Sequence, residues 1–274
     1  SRCQGSEASI SAVKETEKKV KAPKLYDLTT LQREANRIYG MTAKQTLDTA
    51  QNLYEKKLIT YPRTDSQYLT EDMEQTARNV VRQIYEKYQL TGPFDQPEQP
   101  DVKKVMNNSK VTDHHAIIPT MELSSCHLDE LKSWEEKILF LIAVHTVMAM
   151  SKEHVYQETE IEVECQGEIF KAKGKTVLQD GWKLFENCFK NKDRMAIVDP
   201  DQEMKEKIPK VTQGQTFYAV AAEKTEHFTS PPKPYSEDTL LAAMETAGNK
   251  EFDEDTEKKG LGTPATRAGI IEKL

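Results

Sequence analysis

From Leu28 to Met150 the apolar residues fall mainly at helical spacing, and the polar breaks between them mark helix starts and stops. Asp27-Leu28-Thr29-Thr30 opens a first helix, with Thr29 or Thr30 as cap, Leu31, Ala35 and Ile38 on one face, and Gly40 as its end. Thr42 followed three residues later by Gln45 has the capping-box spacing, and Leu47, Ala50, Leu53 and Tyr54 mark the buried face of a second helix. Thr70, with Glu71 and Asp72 behind it, is a third start, because negative side chains suit a helix's first turn. Met73, Ala77, Val80, Val81, Ile84, Tyr85 and Tyr88 then form a core stripe. Residues 89–111 hold Gly92, Pro93, Pro97 and Pro100 and predict a surface loop. Leu128 to Met150 predicts a long apolar helix in which His145 is a packed residue.

The period then changes. Thr159, Ile161, Val163 and Cys165 alternate with Glu158, Glu160, Glu162 and Glu164, a strand with one wet face, and Gln166-Gly167 turns it into Ile169–Gly174. Thr216–Val220 is a further β segment, so an antiparallel β region follows the helical one with a boundary near residue 152. Pro231-Pro232-Lys233-Pro234 reads as a stiff linker. Beyond it, Ser236 opens a helix carrying Leu240, Leu241, Met244 and Ala247 and closed by Gly248. Residues 1 to 24 are highly charged and predict a frayed end leading into a strand remnant.

Composition narrows this picture. At 274 residues, with 37% hydrophobic and 30% charged, the chain can hold one large or several small domains. No apolar run approaches the ~18 residues of a membrane span, and Ser1-Arg2-Cys3-Gln4-Gly5 is no signal peptide, so a cytoplasmic, nucleoid-associated location is expected. Cys3, Cys126, Cys165 and Cys188 form no Cys-x-x-Cys pair, which predicts reduced, mostly buried thiols without a zinc finger. The net charge of -7 weighs against a nucleic-acid partner. Much of the acid, however, sits in residues 199–203 and 251–257, where it can lie away from a bound strand.

The chemistry is concentrated in Ile59-Thr60-Tyr61-Pro62-Arg63-Thr64-Asp65-Ser66, between two predicted helices. A tyrosine before a proline is pushed toward extended backbone, which places Tyr61 on a connection with its hydroxyl free to face a substrate. Arg63 offers a planar donor fork suited to a phosphate, and Thr60, Thr64 and Ser66 add hydroxyls. A free phenol ionises near pH ~10, so a tyrosine that attacks a phosphodiester at neutral pH needs a cation or base beside it. From the residues alone, a ring packed at a helix-to-loop corner and a surface ion pair account for the segment as well.

Two further constellations could carry function. In Gly260-Leu261-Gly262-Thr263-Pro264-Ala265-Thr266-Arg267, two glycines precede a helix start with Thr263 as cap and Pro264 in the first turn. Free N–H groups at such a start, with Arg267 nearby, suit a DNA phosphate, although the pattern is also a generic helix start. His114 and His115 follow a polar loop, and a charged histidine can donate to a phosphate.

These segments together resemble the type IA DNA topoisomerases. The resemblance rests on Leu25–Gln32, Leu53-Tyr54-Glu55 with Ile59–Ser66, Asp113-His114-His115-Ala116-Ile117-Ile118-Pro119-Thr120, and Gly260–Ala268, in family order. The His-His-Ala-Ile-Ile-Pro form is more similar to the bacterial topoisomerase III branch; His115 stands where the topoisomerase I branch has glutamate. The resemblance implies a mixed α+β multidomain fold. Residues 1–28 would be the first segment of an antiparallel β arch region, 29–151 a helical domain with the active-site tyrosine, 152–225 the second arch segment, and 226–274 a partial helical DNA-guiding domain.

It further implies that Tyr61 forms a covalent link to the 5′ phosphate of a cut single strand, that Arg63 neutralises that phosphate, and that His114 supports it. Gln51, Thr60, Thr64, Thr263 and Arg267 would be DNA contacts. The family holds Mg²⁺ on an acidic cluster of an N-terminal Toprim domain, which this sequence lacks. The expectation is an internal fragment of a monomeric enzyme, with single-stranded DNA and the Toprim domain as partners and no metal ligands of its own. Asp199-Pro200-Asp201 and Asp253-Glu254-Asp255 read as solvated turns. The alternatives are a non-catalytic single-strand binding module and an interaction scaffold without a nucleic-acid role.

Overall fold

Backbone pairing organises the first of two units, residues 1–21, 153–181 and 198–233. In this computed structural model, which describes residues 2–90, 100–186, 208–248 and 260–273, the unit carries strands β1 (Ala8–Val20), β2 (His154–Cys165), β3 (Glu168–Gln179) and β4 (Thr216–Phe217). They form one antiparallel sheet in the order β3-β2-β1-β4. The stretch expected to be a frayed end with a strand remnant is thus a strand of 13 residues. Its charge hid the pattern: Val13 stands opposite Ile161 while Lys14 stands opposite Glu160, so β2 supplies both backbone partners and counter-charges. Glu160 and Glu162 in turn face Lys173 and Lys171 of β3 and pair with them. The β2–β3 turn falls on Gln166 and Gly167, both with positive φ. β3 runs to Gln179, five residues past the expected Gly174, whereas β4 stops at Phe217 because Ala219, at φ 56°, leaves the extended region. Cys3 and Cys165, remote in sequence, are both buried here, and the Cys3 thiol donates to the Cys165 carbonyl at 3.3 Å.

The second unit comprises residues 22–152, 182–197 and 234–274. Its helices are α1 (Leu28–Tyr39), α2 (Ala43–Glu55), α3 (Glu74–Tyr88), α4 (Ser133–Ala149), α5 (Glu237–Thr246) and α6 (Pro264–Ile271). The cap of α1 is Asp27 instead of Thr29 or Thr30: its Oδ1 accepts from both the backbone and the hydroxyl of Thr30 at 2.7 Å. Thr42 and Gln45 form the expected capping box of α2. A 3₁₀ turn at Glu71–Met73 precedes α3, and another at Leu128–Glu130, followed by extended Leu131 and Lys132, delays α4 to Ser133. Further 3₁₀ turns at Val102–Val105 and Asn108–Lys110 occupy part of the expected surface loop.

One large apolar cluster, including Leu31, Leu53, Ile59, Val80, Ile84, Ile117 and Leu139, holds α1 to α4 together. A smaller one, Leu28, Ala43, Leu47, Leu241 and Ala268, packs α5 and α6 onto α1 and α2. Two polar contacts seat the same interface: Glu237 accepts from the Ala43 amide at 2.6 Å, and Arg33 pairs with Asp238 at 2.7 Å. His145 is a packed histidine as expected, stacked on Tyr26 with ring centroids 3.7 Å apart, its Nε2–H donating to the Lys24 carbonyl at 2.7 Å. Burial holds its pKa below the usual imidazole value. Cys188 and the acidic stretches 199–203 and 251–257 lie outside the described residues.

Candidate active site

Tyr61 sits on the connection that leaves α2, not in a helix. The connection is pinned along its length to the segment that carries His114. Ile59 bridges Pro119, the Thr60 amide donates to the Ile118 carbonyl at 3.0 Å, and the Thr60 hydroxyl donates to the Ala116 carbonyl at 3.0 Å. Farther on, the Thr64 hydroxyl donates to the His114 carbonyl at 2.9 Å and accepts from the Ser66 amide at 3.1 Å. The Ser66 hydroxyl donates to the Lys110 carbonyl at 2.8 Å. The hydroxyls that suggested phosphate contacts in the sequence therefore spend themselves on bracing two loops against each other. Thr64 is only 3% exposed.

This bracing sets the rings. The Tyr61 ring lies 4.3 Å from that of His114, centroid to centroid and tilted by 42°, and the Tyr54 ring meets it edge-on at 5.4 Å. Tyr61 is half-buried, while Arg63 and His114 are exposed. His115 points elsewhere: its Nδ1–H donates to the Ala116 carbonyl at 2.9 Å.

Arg63 and His114 line a cleft of about 540 Å³, together with Thr64, Asp65, Thr112 and Asp113. Its opposite side is Glu245 and the start of α6, Gly262 to Ala265 and Arg267. The glycine motif is required by geometry. At Gly260, φ 64°, an added Cβ would fall 2.3 Å from the Met244 carbonyl oxygen, and Gly262 also has a positive φ of 67°. The turn they make delivers Thr263 to cap α6, where its amide donates to the Thr266 hydroxyl at 2.9 Å and Pro264 fills the first turn.

The cleft thus gathers Arg63, Thr64, His114, Thr263 and Arg267, with Tyr61 against His114. Thr60 and Gln51 are not among its lining residues; Gln51 lies on α2 and donates to Glu55 at 3.2 Å. Arg267 is 3% exposed, at the floor. The sequence reading missed Tyr54, which stood in a quoted motif without a role, and the carboxylates Asp65, Asp113 and Glu245. Those three acids face two guanidiniums, so the cleft is not strongly basic.

Among the described residues no group of three or more His, Cys, Asp or Glu could hold a metal.

Residues 1–274, the whole chain, match the family profile described as DNA topoisomerase. The chain belongs to the DNA topoisomerase family. It is 40% identical over 289 residues to DNA topoisomerase 3 of Bacillus licheniformis, covering 99% of this chain and 38% of that protein. DNA topoisomerase 3 of Bacillus subtilis is 39% identical over 283 residues, with the same coverage. In structure the chain is similar to full-length topoisomerase I of Thermotoga maritima, with a TM-score of 0.67 at 25% identity over 98% of this chain and 40% of that one. The chain spans well under half the length of these topoisomerases. The type IA, topoisomerase III-like resemblance drawn from the motifs and the mixed α and β architecture agree with these relatives. No helix among the described residues is long and apolar enough to cross a membrane.

Proposed function

We propose that this chain carries the strand-cutting centre of a type IA DNA topoisomerase. The observation that supports it is the packing of Tyr61 on His114 at a cleft that also presents Arg63 and the capped start of α6. In this reading Tyr61 Oη bonds to the phosphorus of a single strand while the bond to the 3′ oxygen breaks. The phenol loses a proton, the leaving oxygen gains one, and the reverse step reseals the strand without ATP. Arg63, exposed beside the cleft, neutralises the phosphate charge that grows in the transition state, and His114 supports the same phosphate. Between cutting and resealing another strand passes, which relaxes or decatenates DNA.

The general acid and Mg²⁺ belong, in this proposal, to a Toprim domain of the whole enzyme, a monomer acting on DNA in the cytoplasm. Three carboxylates against two guanidiniums give the cleft a weak hold on phosphates, so the 274-residue chain should bind single strands weakly and cut them poorly on its own.

The test is a denaturing gel of the chain, alone and joined to the Toprim domain with Mg²⁺, after reaction with a single-stranded oligonucleotide labelled at its 3′ end. Label should migrate with the joined protein and vanish in Tyr61→Phe. Strong cutting by the chain alone would remove the metal assignment. Salt-sensitive binding with no adduct in any mixture would leave the non-catalytic binding module.

A further inference from the structure

The residue of the glycine motif best suited by charge to a DNA phosphate is not available to one. Arg267 is 3% exposed, and its fork is occupied on three sides by protein: Nε–H donates to the Leu261 carbonyl at 3.0 Å, Nη2 to the Gly262 carbonyl at 3.2 Å, and Nη1 to the Thr29 hydroxyl at 3.1 Å. Glu245 lies 4.0 Å from Nη1 and balances the buried charge. An arginine that reads a phosphate needs donors facing the groove; this one faces two carbonyls of the turn before α6 and a hydroxyl in the first turn of α1.

Those acceptors belong to two different elements: Gly262 lines the cleft, while Thr29 lies behind it on α1. Leu261 and Gly262 form the turn that delivers Thr263. Thr29, 1% exposed, follows Leu28, whose amide donates to the Thr64 carbonyl at 3.0 Å, and the Thr64 hydroxyl in turn holds the His114 carbonyl. Hydrogen bonds joined by short stretches of chain at Leu28-Thr29 and within Thr64 therefore run from the α6 turn through Arg267 and α1 to the loops of Arg63 and His114.

We propose that Arg267 is a positioning residue: its fork ties the Gly260–Thr263 turn to the first turn of α1 and so fixes the distance between the Thr263 side and the Arg63–His114 side of the cleft. The proposal deepens the reading of the cleft as a single-strand site and rests on it for its effect on binding. The tie itself is independent of DNA. Lysine cannot replace arginine here, because one ammonium cannot reach three acceptors spread around a planar fork.

The experiment compares Arg267→Ala, Arg267→Lys and Thr29→Val, the last removing one acceptor while leaving the guanidinium in place. Hydrogen exchange is read at residues 260–267 and 28–31, with α4 as the internal reference. Affinity for a fluorescein-labelled single strand is read across a salt series. All three variants should speed exchange in those two segments and leave α4 unchanged. Arg267→Ala should weaken binding by about tenfold, the equivalent of one hydrogen bond to a charged group, with the slope of log K against log salt unchanged and no rescue by Arg267→Lys.

Exchange that stays at the native rate, with a salt slope reduced by about one in Arg267→Ala and restored in Arg267→Lys, would show a phosphate contact and overturn the proposal. Faster exchange throughout, α4 included, would also overturn it by showing only a general loss of stability. If the native chain shows no salt-dependent binding at all, the single-strand reading of the cleft fails, and the exchange data alone decide whether the tie exists.

Discussion

The helical unit and the sheet unit are held together by different physics. In the helical unit Leu31, Leu53, Ile117 and Leu139 are fully buried, and the loops that carry Tyr61 and His114 are fastened to that core through backbone and hydroxyl hydrogen bonds. In the sheet, Ile161 is one of few buried side chains; Ile169, Phe170, Val177 and Leu178 of β3 are exposed, and register is marked by Lys–Glu pairs across β2 and β3. The loops that bring a phenol, an imidazole and a guanidinium together are built on a close-packed body, while the sheet depends on pairing that tolerates solvent.

The sharpest way to break this contrast is in the core. Ile117→Ala empties a buried position beside the Tyr26–Ile117 bridge and should cost about 2–5 kcal/mol, read by urea unfolding. Ile161→Ala in the sheet should cost less, because its surroundings are already partly open. Equal losses would contradict the contrast.

Next is the bracing of the loops. Thr64→Val leaves the His114 carbonyl and the Ser66 amide without a partner and should cost about 1–3 kcal/mol. It should also lower adduct yield in the joined enzyme beyond the loss of stability. A yield that follows stability alone would show that Thr64 does not set the geometry of Arg63 and His114.

A smaller effect concerns Asp27, the cap of α1. Burial lifts its carboxyl to about 6, against the hydrogen bonds from Thr30 that favour the charged form, and Glu245 adds to the lift. An unfolded aspartate titrates near ~3.9, so the folded chain holds the proton more tightly. Stability from this group therefore grows as pH falls from about 6 to about 4 and is absent above that window. Asp27→Asn keeps a capping oxygen and should remove this component from the pH profile of unfolding, with stability at pH 7 equal or higher. An unchanged profile would show that Asp27 does not take up the proton.

The smallest expected effect is in the sheet. Burial contributes little at Lys173, and its pKa is raised by the hydrogen bond and charge of Glu160. Lys173→Glu should loosen β3, as faster hydrogen exchange there at low salt that recovers at high salt, without change in α4.

Much of the helical unit was legible in the sequence because its signals are local. The Thr42–Gln45 box, the Met73–Tyr88 stripe and the Tyr61-Pro62 connection each lie within one turn or one helix of the residues that define them. The alternating glutamates of β2 were legible for the same reason. What escaped depends on partners far away in the chain. β1 becomes a strand only when Lys14 meets Glu160. The cap of α1 is the exception: Asp27 reaches Thr30 only three residues on, and aspartate is a stronger cap than threonine, so that signal was local and was passed over. Thr60 and Thr64 turn inward toward residues 50 or more positions distant. Arg267 finds Thr29 across 238 residues, and a motif read along the chain cannot reveal that its cation is already engaged.

The most direct test of the central claim is to locate the covalent bond. The joined enzyme would be trapped on a single strand, the strand trimmed with nuclease, and the protein cut with trypsin and analysed by mass spectrometry. Residual nucleotide should be found on the peptide Leu58–Arg63, at Tyr61. Nucleotide on Tyr54 or any other residue, or strand passage with Tyr61→Phe intact, would contradict it.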